Sequence, residues 1–144
     1  MGLLNNLFGS NKKTSTFQDA DLGDLTILSH SGNNMVWRGH VKFLNENVSL
    51  FISGSSDQLH ALEKKSVFGI LKNEASMELE IDEALRTQYE EADKQYSKWR
   101  NHFNLISIST LNNEISISFE EKESLYHFNV YFLNGKQAGV SIDA

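Results

Sequence analysis

The histidines are the first place to look for chemistry: His30, His40, His60, His102 and His127. None falls in an HxH, HxxxH or HExxH spacing, so a metal site would have to be assembled across separate elements, and none is expected. The chain has no cysteine, which excludes disulfides, thiolate metal ligands and a cysteine nucleophile. The densest chemical cluster is Trp37-Arg38-Gly39-His40. In a strand, Trp37 shares a face with Val41 and Phe43, while Arg38 and His40 point to the other face, where they could meet an anionic ligand. Trp37, Arg38 and His40, with His30 nearby on the preceding strand, are therefore the candidate small-ligand or enzyme site. Nothing close in sequence completes an acid–base or nucleophile set, and a solvated outer face explains the same residues.

The carboxylates are the second place. Glu90/Glu91 and Glu120/Glu121 are adjacent pairs, whose side chains point apart on a helix or in a loop, so neither is a catalytic dyad. GxSxG, GxGxxG and GxxxxGK[ST] are absent, and no cofactor is expected. What stands out is a block of charge. Residues 74–93 hold eight acids and one arginine, a net of −7, whereas the whole chain carries −6. An acidic chain without a basic stripe is a poor fit to nucleic acid or to an anionic membrane. It fits a basic protein partner, with Glu83, Glu90 and Asp93 as the outward-facing candidates.

These residues need elements to hold them. Ile81, Ala84, Leu85, Gln88, Tyr89, Ala92, Tyr96 and Trp99 form one stripe at helical spacing, which predicts a single helix from Glu74 to Asn101. Asp82→Arg86 and Glu90→Lys94 are i,i+4 pairs, and Ser76 reads as the N-cap. Acids early and Lys94, Lys98 and Arg100 late would match the helix dipole, so that stability alone would explain the charge order. A shorter helix is expected before it, opened by a Ser55/Gln58 capping box, with Leu59, Leu62, Ser66, Val67, Ile70 and Leu71 inward and Gly69 weakening it.

Strands are expected at Leu25–His30, at Met35–Leu44 and at a segment carrying Val48, Leu50 and Ile52. The Asn45-Glu46 turn would set Val41 opposite Leu50 and Phe43 opposite Val48. Further on, Phe103–Thr110 and Glu114–Glu120 flank Asn112-Asn113, a type I′ turn that would pair Ile108 with Ile117 and Ile106 with Phe119. Leu125–Leu133 and Lys136–Asp143 would close around a three-residue loop with Gly135 left-handed, pairing Val130 with Ala138. The expected fold is α+β, an antiparallel sheet of six to seven strands in the order β-β-β-α-α-β-β-β-β, one face covered by a helical pair.

Residues 1–16 read as a flexible N-terminal segment and 17–144 as a single domain. Residues 1–9 lack the basic region of a signal peptide, Asn6 breaks a myristoylation motif, and no stretch approaches ~20 apolar residues. A cytoplasmic protein is expected, with self-association open. The motif F-x-D-x-x-L-G-x-L at Phe17–Leu25, the W-x-G at Trp37–Gly39, a helical middle and a C-terminal β meander resemble small bacterial domains of unknown function. Some relatives of that type sit in toxin–antitoxin loci as immunity proteins. The resemblance implies a non-enzymatic, immunity-like binding domain and carries no catalytic residue.

Overall fold

The computed structural model describes residues 15–32 and 34–144. It is an α+β structure. One eight-stranded sheet runs in chain order: β1 (Thr16–Asp19), β2 (Gly23–Ser31), β3 (Asn34–Phe43), β4 (Glu46–Gly54), β5 (Phe103–Leu111), β6 (Glu114–Glu121), β7 (His127–Leu133) and β8 (Lys136–Asp143). Between β4 and β5 lie α1 (Ala61–Leu71), α2 (Glu74–Glu91) and α3 (Trp99–His102). All neighbouring strands are antiparallel except β4 and β5, which run parallel through Ser49–Phe51 and Ser107–Ser109. Of the N-terminal segment expected over residues 1–16, residues 1–14 lie outside the described part, and Thr16 already belongs to β1.

Side-chain alternation assigned the faces well. Trp37, Gly39 and Phe43 of β3, Val48, Leu50 and Ile52 of β4, Ile117 and Phe119 of β6 and Phe128, Val130 and Phe132 of β7 are all buried. Val67 and Ile70 of α1 and Met77, Ile81, Leu85 and Tyr89 of α2 close the core from the helical side. The other sheet face is polar, as a one-sided sheet requires. There Ser107 faces Ser118 and Ser109 faces Ser116, and Asn129 donates to Ser141 Oγ at 3.2 Å and Asp143 Oδ2 at 2.8 Å.

Registers differ from expectation where a turn sits one residue earlier, as between β3 and β4, or where an extra residue enters a strand. The β3–β4 turn is Leu44-Asn45, both left-handed, so Val41 opposes Val48 and Gly39 opposes Leu50. In β5, Ile106 bulges out and Leu105 takes its place opposite Phe119. The last hairpin turns on two residues, Asn134-Gly135, and its bulge falls at Ala138, so Val130 meets Val140. A bulge keeps both faces apolar or polar on schedule while shifting pairs, which is why alternation alone could not place it. The eighth strand, β1, is additional to the seven expected. Asp19–Gly23 is the turn, and β1 precedes it, with Phe17 edge-on to Trp37 at 4.6 Å.

The helices also start and stop elsewhere. Ser55 does not cap a helix. Its amide donates to Gln58 O, and the chain makes a bridge between Gly54 and Leu59 before α1 begins six residues later. This shifts the inward side of α1, leaving Leu62 64% exposed and Glu63 buried. The single helix expected over residues 74–101 is two. At the end of α2 the Lys94 amide donates to Tyr89 O and the Asp93 amide to Glu90 O, with Asp93 at φ 56°. That is the double bond of a Schellman stop, closed by an aspartate in place of the usual glycine. Ser76 lies inside α2, whose N-cap is Asn73.

Two glycines separate space from strain. A Cβ on Gly54 would sit 2.5 Å from Gln58 O and 2.9 Å from Leu59 Cα, both backbone atoms, whereas one on Gly69 would meet nothing within 4 Å. Gly54→Ala should therefore destabilise by about 1–3 kcal/mol through forced overpacking. Gly69→Ala should stabilise by roughly 0.5–1 kcal/mol through helix propensity. Chemical denaturation of the two variants should show midpoint shifts of opposite sign.

Candidate docking site

The acidic block divides into acids that hold the fold and acids that do not. Glu74 Oε1 accepts the Leu44 amide at 2.5 Å, and Leu44 O accepts from Arg100, so a left-handed leucine in the β3–β4 turn is pinned at both polar groups. Glu78 Oε2 accepts Trp99 Nε1–H at 2.9 Å. Asp82 Oδ1 accepts the Tyr96 hydroxyl at 2.5 Å and the Trp99 amide at 2.9 Å, while Oδ2 takes Arg86 at 3.2 Å. Lys98 is the extended N-cap of α3, and these contacts fold the segment after α2 back against the helix.

The predicted docking residues lie outside that framework. Glu83 and Glu90 are exposed and two helical turns apart, on one side of α2, with Thr87 between them and Leu79, 73% exposed, a turn before. Asp93 is exposed at the Schellman stop. Glu80 and Glu83 form one wall of a groove of about 460 Å³ whose other wall is β8, with Lys136, Gln137 and Val140. The basic residues expected to balance the helix end do not do so. The last turn of α2 contains no base. Lys94 lies 3.9 Å from Glu121 and Arg100 pairs with Glu46 at 3.1 Å. Glu90 and Glu91 thus stand at the negative end of the helix dipole, where a surface carboxylate is disfavoured by about 0.3–1 kcal/mol. The expected dipole match is overturned by the helix stop at Ala92.

The second predicted site is laid out as its alternation implied. Trp37 is buried, and its Nε1–H donates to Ser55 O at 2.8 Å. Arg38 and His40 are exposed on the polar sheet face, opposite Phe51 and Ser49 of β4. None of the three lines the groove between α2 and β8. Among the described residues, no three His, Asp or Glu converge as a metal would require, and no helix is long and apolar enough to cross a membrane.

Sequence reasoning missed a buried polar cluster where α2 meets β6. Glu121 accepts the Tyr89 hydroxyl at 2.5 Å and the Ser124 hydroxyl at 2.6 Å. His102 stacks on Tyr96 at 5.0 Å and tilts against Tyr89 at 4.9 Å, and its Nε2 accepts the Ser97 amide. Burial pushes the Glu121 carboxyl up, but Ser124, Tyr89, Lys94 and His102 together pull it below the ordinary 4.5. Burial and the Glu121 carboxylate hold the Tyr89 phenol well above the usual range, and burial with Asp82 does the same for Tyr96. All partners come from this chain, and the cluster reads as a clasp.

No protein-family model, curated protein or solved structure matches this chain.

Because Glu121 is more acidic folded than unfolded, it stabilises above 4.5 and loses that contribution as pH falls through its folded value. Denaturation across the acid range should show Glu121→Gln with a shallower loss below 4.5 than the wild-type chain. Tyr89→Phe removes a hydrogen bond to a charged acceptor and should cost about 1.5–3 kcal/mol. It should also delete one late-ionising phenol from an ultraviolet titration.

Proposed function

We propose that this chain is a non-enzymatic, immunity-like binding domain of the cytoplasm, which docks a basic protein partner through the outward face of α2. The observation that carries this reading is the position of Glu90, Glu91 and Asp93. They gather at the end of the helix that repels negative charge, and neither the last turn nor an ion pair within the described residues offsets Glu90 or Asp93. Stability accounts for Glu74, Glu78 and Asp82, which hold backbone and aromatic donors in place. It does not account for Glu83 and Glu90, nor for the charge of Asp93, whose left-handed place at the helix stop an asparagine could also take. Charge arranged at a small energetic cost, beside the exposed Leu79, fits a surface that gains when a cationic partner covers it.

The test is a variant with Glu83→Gln, Glu90→Gln and Asp93→Asn, used as bait beside the wild-type chain in the native host's lysate. A basic protein should be retained by the wild type, released by raising salt from about 50 to 300 mM, and lost from the variant. The variant itself should be as stable as the wild type or gain about 0.3–1 kcal/mol per charge removed near the helix end. Equal retention by both baits would sink the reading.

A further inference from the structure

The described residues contain two buried side-chain oxygens without a hydrogen-bond partner, Glu63 Oε2 and Thr110 Oγ1. They belong to the two elements that meet at one corner of the core. Glu63 is in the first turn of α1, and Thr110 is on the core face of β5, two residues before the β5–β6 turn. A glutamate at the third position of a helix usually reaches back to the N-cap amide. Here the His60 amide donates instead to Ser53 O at 3.1 Å, and Glu63 turns across to the hairpin, where Oε1 accepts the Asn112 amide at 3.2 Å. The second oxygen is left over. Its side chain is 7% exposed, and His60 Nδ1 stands 3.6 Å away, too far for a hydrogen bond.

That carboxylate forms part of the wall of a cavity of about 570 Å³, together with Leu59, His60, Leu62 and Asn112. Its lining combines the acidic Glu63 with apolar side chains, Leu62 being 64% exposed. The half-exposed His60 ring stands beside Oε2 and lines the same cavity. A buried carboxylate oxygen without a donor calls for a cation that brings its own hydrogens. Between the two biological choices, a guanidinium suits this cavity better than an ammonium. It is planar, more weakly hydrated, donates in a fork and lays its faces on apolar side chains.

We propose that this cavity is an arginine-binding pocket in which Glu63 receives the guanidinium of a partner's arginine side chain. The proposal rests on the reading of a basic protein partner and gives that partner an anchor, separate from the α2 face, at the N-terminal turn of α1. The probe is N-acetyl-arginine amide, titrated into the isotope-labelled full chain and followed by amide resonances. Saturable shifts are expected at Asn112, Asn113 and His60. Glu63→Gln keeps the Oε1 acceptor for Asn112 and should weaken the probe by at least about tenfold. Leu62→Lys, a surface change, should weaken it as well, which keeps the test sound if the first variant unfolds. N-acetyl-lysine amide should bind more weakly than the arginine probe.

Absence of saturable shifts overturns the pocket, as do shifts unchanged in both variants, and equal binding of the lysine probe overturns its guanidinium preference. The titration uses no protein partner, so its failure leaves the α2 face standing. Conversely, binding of the probe with no basic protein retained by the wild-type bait would remove the partner reading and keep the pocket.

Discussion

Strands β4 and β5 run side by side in the same direction, and most of the architecture follows from that pairing. Parallel neighbours cannot be joined by a tight turn; they need a crossover of a dozen residues or more. The crossover here is everything from Ser55 to His102, and it carries all three helices of the described chain. Two four-stranded meanders are thereby fused into one sheet, and the crossover must lie on one face, which makes that face the core. The opposite face keeps Ser118, Asn129, Tyr131 and Ser141 bonded among themselves. The acidic block sits in the crossover, so three of its carboxylates are drawn into fixing where the crossover bends.

The faces of the strands were legible because period-two alternation survives almost any register. The pairings were legible only as far as the nearest bulge: Ile108 meets Ile117 as expected around Asn112-Asn113, and beyond Ser107 the match is lost. Leu28, Ile106 and Ala138 are each an extra residue in one strand, and nothing in an apolar side chain announces that it stands in a bulge. All three are exposed to solvent, which is the cost of bending the sheet there. The stop of α2 was hidden for a different reason. Apolar spacing continues through Ala92, Tyr96 and Trp99, but the backbone reverses at Asp93, a residue that tolerates the left-handed conformation without advertising it as glycine would.

The candidate site was legible as charge and not as roles. Sequence could say that residues 74–93 are strongly acidic. It could not say that Glu74 would reach a backbone amide thirty residues earlier or that Asp82 would hold a tyrosine and a tryptophan amide. Those contacts cross between elements, and no local spacing encodes them. Moving the helix end inward changed the meaning of the acids beyond it: they became charges at the wrong pole, without lysine or arginine in the same turn. Glu63 was invisible for the opposite reason. It was hidden by an apolar pattern that assumes a helix capped five residues too soon, at Ser55 in place of His60, and that sets Leu62 inward.

The bulge at Ala138 bears on how copies of this molecule meet. An open sheet offers unpaired backbone at both edges, and flat edges invite further strands. Here β1 is four residues long, and β8 is bent beside Gly139 with a lysine at its start. Among the described residues, neither edge presents a long straight ladder. Polymer-like growth by strand addition is therefore blunted at both ends of the sheet, and recognition is left to side chains of the helical layer, where charge can choose the partner.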